Sequence, residues 1–194
     1  MGGEKGKHVP DSKKSEWGVG LIGGREKRVI EIVPYRSDWP LRFQNHAERI
    51  KNALGATMLR IEHIGSTSVE GLAAKPIIDI LVVVAAPARE NLYLPSMLSA
   101  GYELRVREPD FEEHRMFRTP ERDVHVHFFP AGSGEIDRYL EFRDFVRSHA
   151  ETRDQYAALK RELSKRDWAD MNEYADAKTD FIEGVIRRAR NAAG

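Results

Sequence analysis

The sequence predicts an α+β protein: a mixed β-sheet with helices packed on one face and a helical C-terminal part. Three observations carry this reading. Short runs of strand character crowd between Thr57 and Phe129, and from Glu135 onward the pattern is helical. In addition, the run Ile77 to Val84 is apolar on both alternating faces, so it belongs inside a sheet rather than at its edge.

The chain of 194 residues, 41% hydrophobic and 9% aromatic, is the size of one domain. Residues 1–24 are rich in Gly, Lys and Ser and read as a disordered tail, leaving 25–194 as a single domain. Order is expected to begin with a short strand, Val29 to Val33. Ser37-Asp38-Trp39-Pro40 then offers a capping hydroxyl or carboxylate and an early proline, and the helix runs to about Leu54, stopped by Gly55. A strand from about Thr57 to Ile64 leads through a Gly65-Ser66-Thr67 turn to the strand Ile77 to Val84. Pro87-Ala88-Arg89 breaks that run, and a helix from about Arg89 to Ala100 ends at Gly101. Tyr102 to Arg107, Arg115 to Thr119 and Asp123 to Phe129 read as three strands in hairpin-like succession. Helices follow at Ile136 to His149, Thr152 to about Lys165 and Met171 to about Arg190.

Composition narrows the functional classes. Lys plus Arg and Asp plus Glu both number 31, so no global field draws the chain to nucleic acid or anionic lipid. With no cysteine, disulfides, thiolate metal sites and a cysteine nucleophile are excluded. The longest apolar run, Ile80 to Ala86, is too short to span a bilayer, and the N-terminus has no apolar core of a signal peptide. A cytoplasmic protein with no membrane partner is the expectation, and nucleic acid is a weak candidate because no basic patch interleaved with aromatics is visible.

Four groups of residues could carry chemistry. The Gly65-Ser66-Thr67 turn offers backbone N–H groups that can hold an anion such as phosphate. Asp79 is the one polar group on its strand face, shared with Ile77, Leu81 and Val83, and a carboxylate there needs a metal, a cation or a proton. It could equally cap a backbone N–H or pair with an arginine. In Asp123-Val124-His125-Val126-His127 the acid and both imidazoles share one strand face, which suits a divalent metal, although the same alternation also describes a solvent-facing strand. Lys75, ahead of Pro76, together with Arg115 and Arg118 would neutralise phosphate. The charged runs around Arg143, Lys160 and Lys165 read as exposed helix faces laced with i,i+4 pairs and are assigned no chemistry.

His63-Ile64-Gly65-Ser66-Thr67-Ser68-Val69, followed by Gly71-Leu72-Ala73-Ala74-Lys75-Pro76-Ile77-Ile78-Asp79-Ile80, closely resembles the signature of the GrpB-like family, also called UPF0157, of the nucleotidyltransferase superfamily. Pro34-Tyr35, Trp39-Pro40, His125-Val126-His127, Phe142-Arg143-Asp144 and Tyr174 to Ile182 resemble further blocks of that family in the right order, covering about Val29 to Arg190. The resemblance implies a nucleotidyltransferase-type sheet in which the Gly-Ser turn holds nucleotide phosphates. It also implies acids on the next strand that hold metal ions for nucleotidyl transfer. Asp79 occupies the first acidic position and Leu81 the second; the third falls to Asp123, His125 or His127. The implied ligands are a nucleoside triphosphate, at Gly65, Ser66, Thr67, Lys75, Arg115 and Arg118, and a divalent metal at Asp79, His125 and His127. Magnesium would suit one carboxylate with phosphate oxygens, manganese or zinc the imidazoles. Asp79 and Lys75 are the catalytic candidates, and the acceptor is a small molecule or a protein. The alternative is an inactive nucleotide-binding, chaperone-like or regulatory domain linked to coenzyme A biosynthesis, because some family members are fused to dephospho-coenzyme A kinase. This sequence has no Walker-type loop, so such a kinase would be met in trans.

Overall fold

The computed structural model describes residues 20–24, 26–27 and 29–193. Of the expected tail, 1–24, residues 1–19 lie outside the described residues. Apolar alternation organises the rest. In strand β3 (Ile78–Val84), Ile78, Ile80, Val82 and Val84 pack beneath helices α1 (Trp39–Leu54) and α2 (Leu94–Ser99), against Trp39, Ile50 and Met97. Leu81 and Val83 point the other way, onto Ile136, Tyr139 and Leu140 of helix α3 (Gly134–Ser148). Helices therefore cover both faces of the sheet, which corrects the expectation of one covered face. A strand apolar on both sides needs a cover on both sides.

Among the described residues, six strands lie in the order β1-β4-β5-β6-β3-β2. Besides β3 these are β1 (Gly20–Leu21), β2 (Met58–Ile64), β4 (Glu103–Glu108), β5 (His114–Arg118) and β6 (Val124–Pro130). β4, β5 and β6 form the expected antiparallel succession, β2 pairs antiparallel with β3, and β3 pairs parallel with β6, so the sheet is mixed. The C-terminal part comprises α4 (Ala150–Ser164), α5 (Met171–Asp176) and α6 (Thr179–Ala193). Tyr156 and Val185 in this part, with Val146 of α3, pack on Val69 and Leu72, just past the Gly-Ser turn. The mixed sheet, the helices and the helical C-terminal part agree with the α+β expectation.

Local departures have physical causes. The opening strand Val29 to Val33 shrinks to one bridge, Val33 to Ala74. The sheet's edge is instead Gly20–Leu21, inside the stretch read as tail, paired with Val106 and Arg107. The buried Arg105 guanidinium holds it there by donating to the carbonyls of Ile22 and Gly24, because a buried cation must find acceptors. The expected helix 89–100 begins only at Leu94, after a 3₁₀ turn at Glu90–Leu92, since Pro95 has no N–H and fits only the first turn. Asp38 does not cap α1; its carboxylate takes a two-pronged bond from Arg36 at 3.0 and 2.9 Å. The single helix expected over 171–190 is two, α5 and α6.

Candidate metal and anion cleft

Register creates the site. Because β3 and β6 run parallel, Asp79 lies beside His125 and Leu81 beside His127, all on the face away from α1. His125 Nδ1 is 3.5 Å and His127 Nε2 4.0 Å from Asp79 Oδ1. One ligand atom from each of the three residues lies within 4.8 Å of the others. The group sits where the Gly-Ser turn crosses β3. Gly65 has φ 69° and ψ −175°, and a Cβ there would stand 2.9 Å from Asp79 Cβ and closer still to its carboxylate. Only glycine lets the turn pass this close.

A chain of hydrogen bonds orients His127. Glu108 Oε2 meets His114 Nδ1 at 2.7 Å, and His114 Nε2 meets His127 Nδ1 at 3.1 Å. The network closes when Glu108 accepts from His114 Nδ1–H and His114 Nε2 in turn accepts from His127 Nδ1–H. The His127 Nε2 lone pair is then turned toward Asp79. Burial, reinforced by the neighbouring His114 and His125 rings, pushes the His127 pKa down to about 3, so the ring is neutral at ordinary pH. Burial also opposes ionisation of Asp79, yet the His125 hydrogen bond and the Lys75 charge hold its carboxyl below the usual range. A lone pair and a carboxylate facing one another is an arrangement that a cation completes.

Facing this group stand three lysines, from the approach to β3, from α4 and from the link between α5 and α6. Lys160 of α4 is 3% exposed; its ammonium donates to Ser66 Oγ at 2.8 Å and lies 4.4 Å from the centre of the Tyr156 ring. Lys75 and Lys178 lie 5.0 and 4.7 Å from the centre of the Tyr174 ring. Burial and the nearby Lys178, Arg161 and Lys75 charges bring the Lys160 pKa down to about 6; burial and Lys75 bring that of Lys178 to about 8. The reading of Lys160 as an exposed, chemically silent residue is thus corrected. Position explains it: Thr152, Tyr156, Lys160 and Leu163 form the buried stripe of α4.

A stability consequence follows from Lys160. Its ordinary pKa is 10.5 and its folded value about 6, so between these pH values the unfolded chain binds the extra proton and stability rises with pH. Lys160→Met should remove this slope, on the order of 1 kcal/mol per pH unit at most. Urea unfolding of both proteins at pH 7 and pH 9 checks it: the wild type should gain on the variant at the higher pH.

The cleft between these walls has a volume of about 470 Å³. Gly65, Ser66, Lys75, Asp79, Arg118, His125 and His127 all line it. Arg118 is engaged there by Glu26, at 3.0 Å. Thr67 and Arg115 depart from the expectation. Thr67 is buried beside the cleft, its hydroxyl donating to the Ile77 carbonyl at 3.0 Å and meeting His63 Nε2 at 3.1 Å. Arg115 alternates with Met116 and Arg118 along β5, so it projects through the opposite face, where Glu90 binds it at 2.6 Å together with Arg107 at 2.8 Å. Asp123 is held by Arg42 at 2.6 Å and Thr119 at 2.7 Å, apart from the three-residue group. Glu90→Ala would leave the buried Arg115 guanidinium without its carboxylate, at a cost of about 2 kcal/mol in chemical unfolding, with the cleft unaffected.

With this geometry in view, comparison with known proteins identifies the family. The family model described as "GrpB protein" matches residues 29–188. The chain belongs to the GrpB family. It is 47% identical to a UPF0157 protein of Streptomyces coelicolor, over 97% of each chain, and 47% identical to one of Halalkalibacterium halodurans, over 82% of each. The crystal structure of the conserved protein GrpB from Enterococcus faecalis superposes with a TM-score of 0.75 at 32% identity, covering 84% of this GrpB chain and 99% of that one. A more distant match, 28% identical, spans 46% of a protein named dephospho-CoA kinase from Mycolicibacterium paratuberculosis. Among the described residues of this GrpB protein, no helix is long and apolar enough to cross a membrane.

Proposed function

We propose that this GrpB protein has a nucleotidyltransferase-type sheet and works as a metal-dependent nucleotidyltransferase in the cytoplasm. It would bind a nucleoside triphosphate and transfer the nucleotidyl group to a small molecule or a protein. The observation that carries this reading is the meeting of Asp79, His125 and His127 at one end of a cleft whose other wall is cationic. The donor set fits a divalent ion: one carboxylate and two imidazoles, one of them buttressed from behind by His114 and Glu108. Two imidazoles favour manganese or zinc over magnesium. Such an ion supplies neutralisation of the departing pyrophosphate and acidification of the acceptor hydroxyl.

The chain's own groups have separable tasks in this reading. Gly65 brings the turn against Asp79, Ser66 and Lys75 meet phosphate oxygens, and Arg118, shared with Glu26, stands near the polyphosphate. A second reading, a nucleotide-binding regulatory domain without turnover, is favoured by Leu81. It is fully buried against the apolar cluster of Ile64, Val83, Phe129 and Ile136, at the position where the resemblance calls for a second acid. In that case a dephospho-coenzyme A kinase met in trans is the candidate partner. Thermal unfolding with each nucleoside triphosphate, with and without manganese, zinc or magnesium, separates the two. The transferase reading expects stabilisation that requires metal and disappears in Asp79→Asn, whereas equal stabilisation without metal supports the regulatory reading.

A further inference from the structure

We infer that Lys75, Lys160 and Lys178, gathered around the Tyr156 and Tyr174 rings, form an anion subsite for a pyrophosphate or longer oligophosphate group, separate from the metal-binding residues. The inference rests on the transferase reading in that it names the part of the ligand held opposite Asp79, but its geometry stands independently. Three ammonium groups come from three places in the chain: the approach to β3, the inward stripe of α4 and the link between α5 and α6. Each lines the same cleft. Among the described residues, no carboxylate pairs with Lys160 or Lys178; Lys160 keeps one hydroxyl partner, and both lie over aromatic rings.

Gathering like charges in one cleft, one of them the buried Lys160, is unfavourable unless an anion joins them. The Lys160 and Lys178 ammonium groups can each donate several hydrogen bonds, more than the Ser66 hydroxyl and the Tyr156 and Tyr174 ring faces accept. The Tyr174 hydroxyl is buried at the same wall and has no hydrogen-bond partner among the described residues. An oligophosphate supplies several acceptor oxygens and more than one negative charge, and it spans a wider cluster than a single phosphate. Nearby charges that act on these lysines are Asp79, Asp176 and Arg161. Asp79 is the opposing charge, and it belongs to the metal end of the cleft.

The lowered proton affinities of Lys160 and Lys178 add a second signature. An anion arriving beside a partly deprotonated amine favours the ammonium, so binding should draw protons from solution near pH 7.5. Lys160 and Lys178 contribute in the same direction, and the carboxyl of Asp79, already ionised, contributes little.

Isothermal titration of the whole chain in EDTA, with orthophosphate, pyrophosphate, tripolyphosphate and a nucleoside triphosphate in separate arms, tests the subsite. Expected is metal-free binding of pyrophosphate and tripolyphosphate, tighter than orthophosphate, with net proton uptake on comparing two buffers of different ionisation enthalpy. Lys178→Met and Lys160→Met should each weaken it about tenfold, the loss of one charge-assisted contact, with melting temperatures measured alongside to show that both fold. Two outcomes overturn the inference: no pyrophosphate binding by the folded wild type, or affinity unchanged in both folded variants. Asp79→Asn separates this from the transferase reading. Metal-dependent nucleotide stabilisation that survives Asp79→Asn defeats the transferase reading, whereas metal-free pyrophosphate binding judges the lysines alone.

Discussion

Gly65→Ala should lower the unfolding free energy by about 4 kcal/mol and disable cation binding in whatever protein still folds. Two terms add. The backbone at φ 69°, ψ −175° belongs to a region open essentially to glycine, which costs another residue about 1–3 kcal/mol. The added Cβ must also displace Asp79, whose Cβ and Cγ lie 2.9 and 3.0 Å from it, and forced repacking of this kind costs about 1–3 kcal/mol more. Asp79 has little room to retreat, since β3 is held by β2 on one side and β6 on the other. Chemical unfolding reads the first effect, and at this chain length a loss of about 4 kcal/mol corresponds to a fall in Tm of roughly 8–16 °C. Serine at the same position carries the same Cβ and should behave alike.

Asp79→Asn should reduce divalent-metal affinity roughly a hundredfold or more while the fold remains. The amide keeps the volume of the carboxylate but removes its charge. Loss even of groups supporting a ligand typically weakens metal sites ten- to a hundredfold, and Asp79 would itself be a ligand. The variant's far-ultraviolet circular dichroism should match the wild type, and metal titration by calorimetry measures the loss. His114→Phe offers a milder contrast. It leaves all three ligand residues but cuts the link from Glu108 to His127, so a weakening nearer tenfold is expected.

The sequence and structure agree most closely where burial acts on alternating strands. Asp79, His125 and His127 could be assigned to strand faces by parity, and the parallel register of β3 and β6 then set them side by side. The same parity puts Arg115 and Arg118 on opposite faces of β5, so grouping them at one phosphate neglected it; which of the two reaches the cleft follows from the pairing with β6, where Met116 opposite His127 puts Arg118 in the cleft and Arg115 outside it. The same pairing brings in His114, which had no visible partner in the sequence. Lys160 was hidden for a different reason. A lysine among charged neighbours on a helix usually faces water, and its place on the stripe with Tyr156 and Leu163 was the available sign that it does not. Lys178 gave no such sign, since it sits where α5 gives way to α6 without a glycine or proline to mark the break. Helix α3 on the second face was implied by the apolar parity of Leu81 and Val83, which requires a cover that the one-faced expectation omitted.

The central claim is that Asp79, His125 and His127 together hold one divalent cation. Crystals of the wild-type protein soaked in zinc or manganese, with diffraction measured at each metal's absorption edge, test it directly. For zinc the account predicts a single anomalous peak within about 2.0–2.2 Å of an Asp79 carboxylate oxygen and a nitrogen of each imidazole, absent in Asp79→Asn. No peak with either metal, or metal bound elsewhere while these three side chains remain unligated, would contradict it.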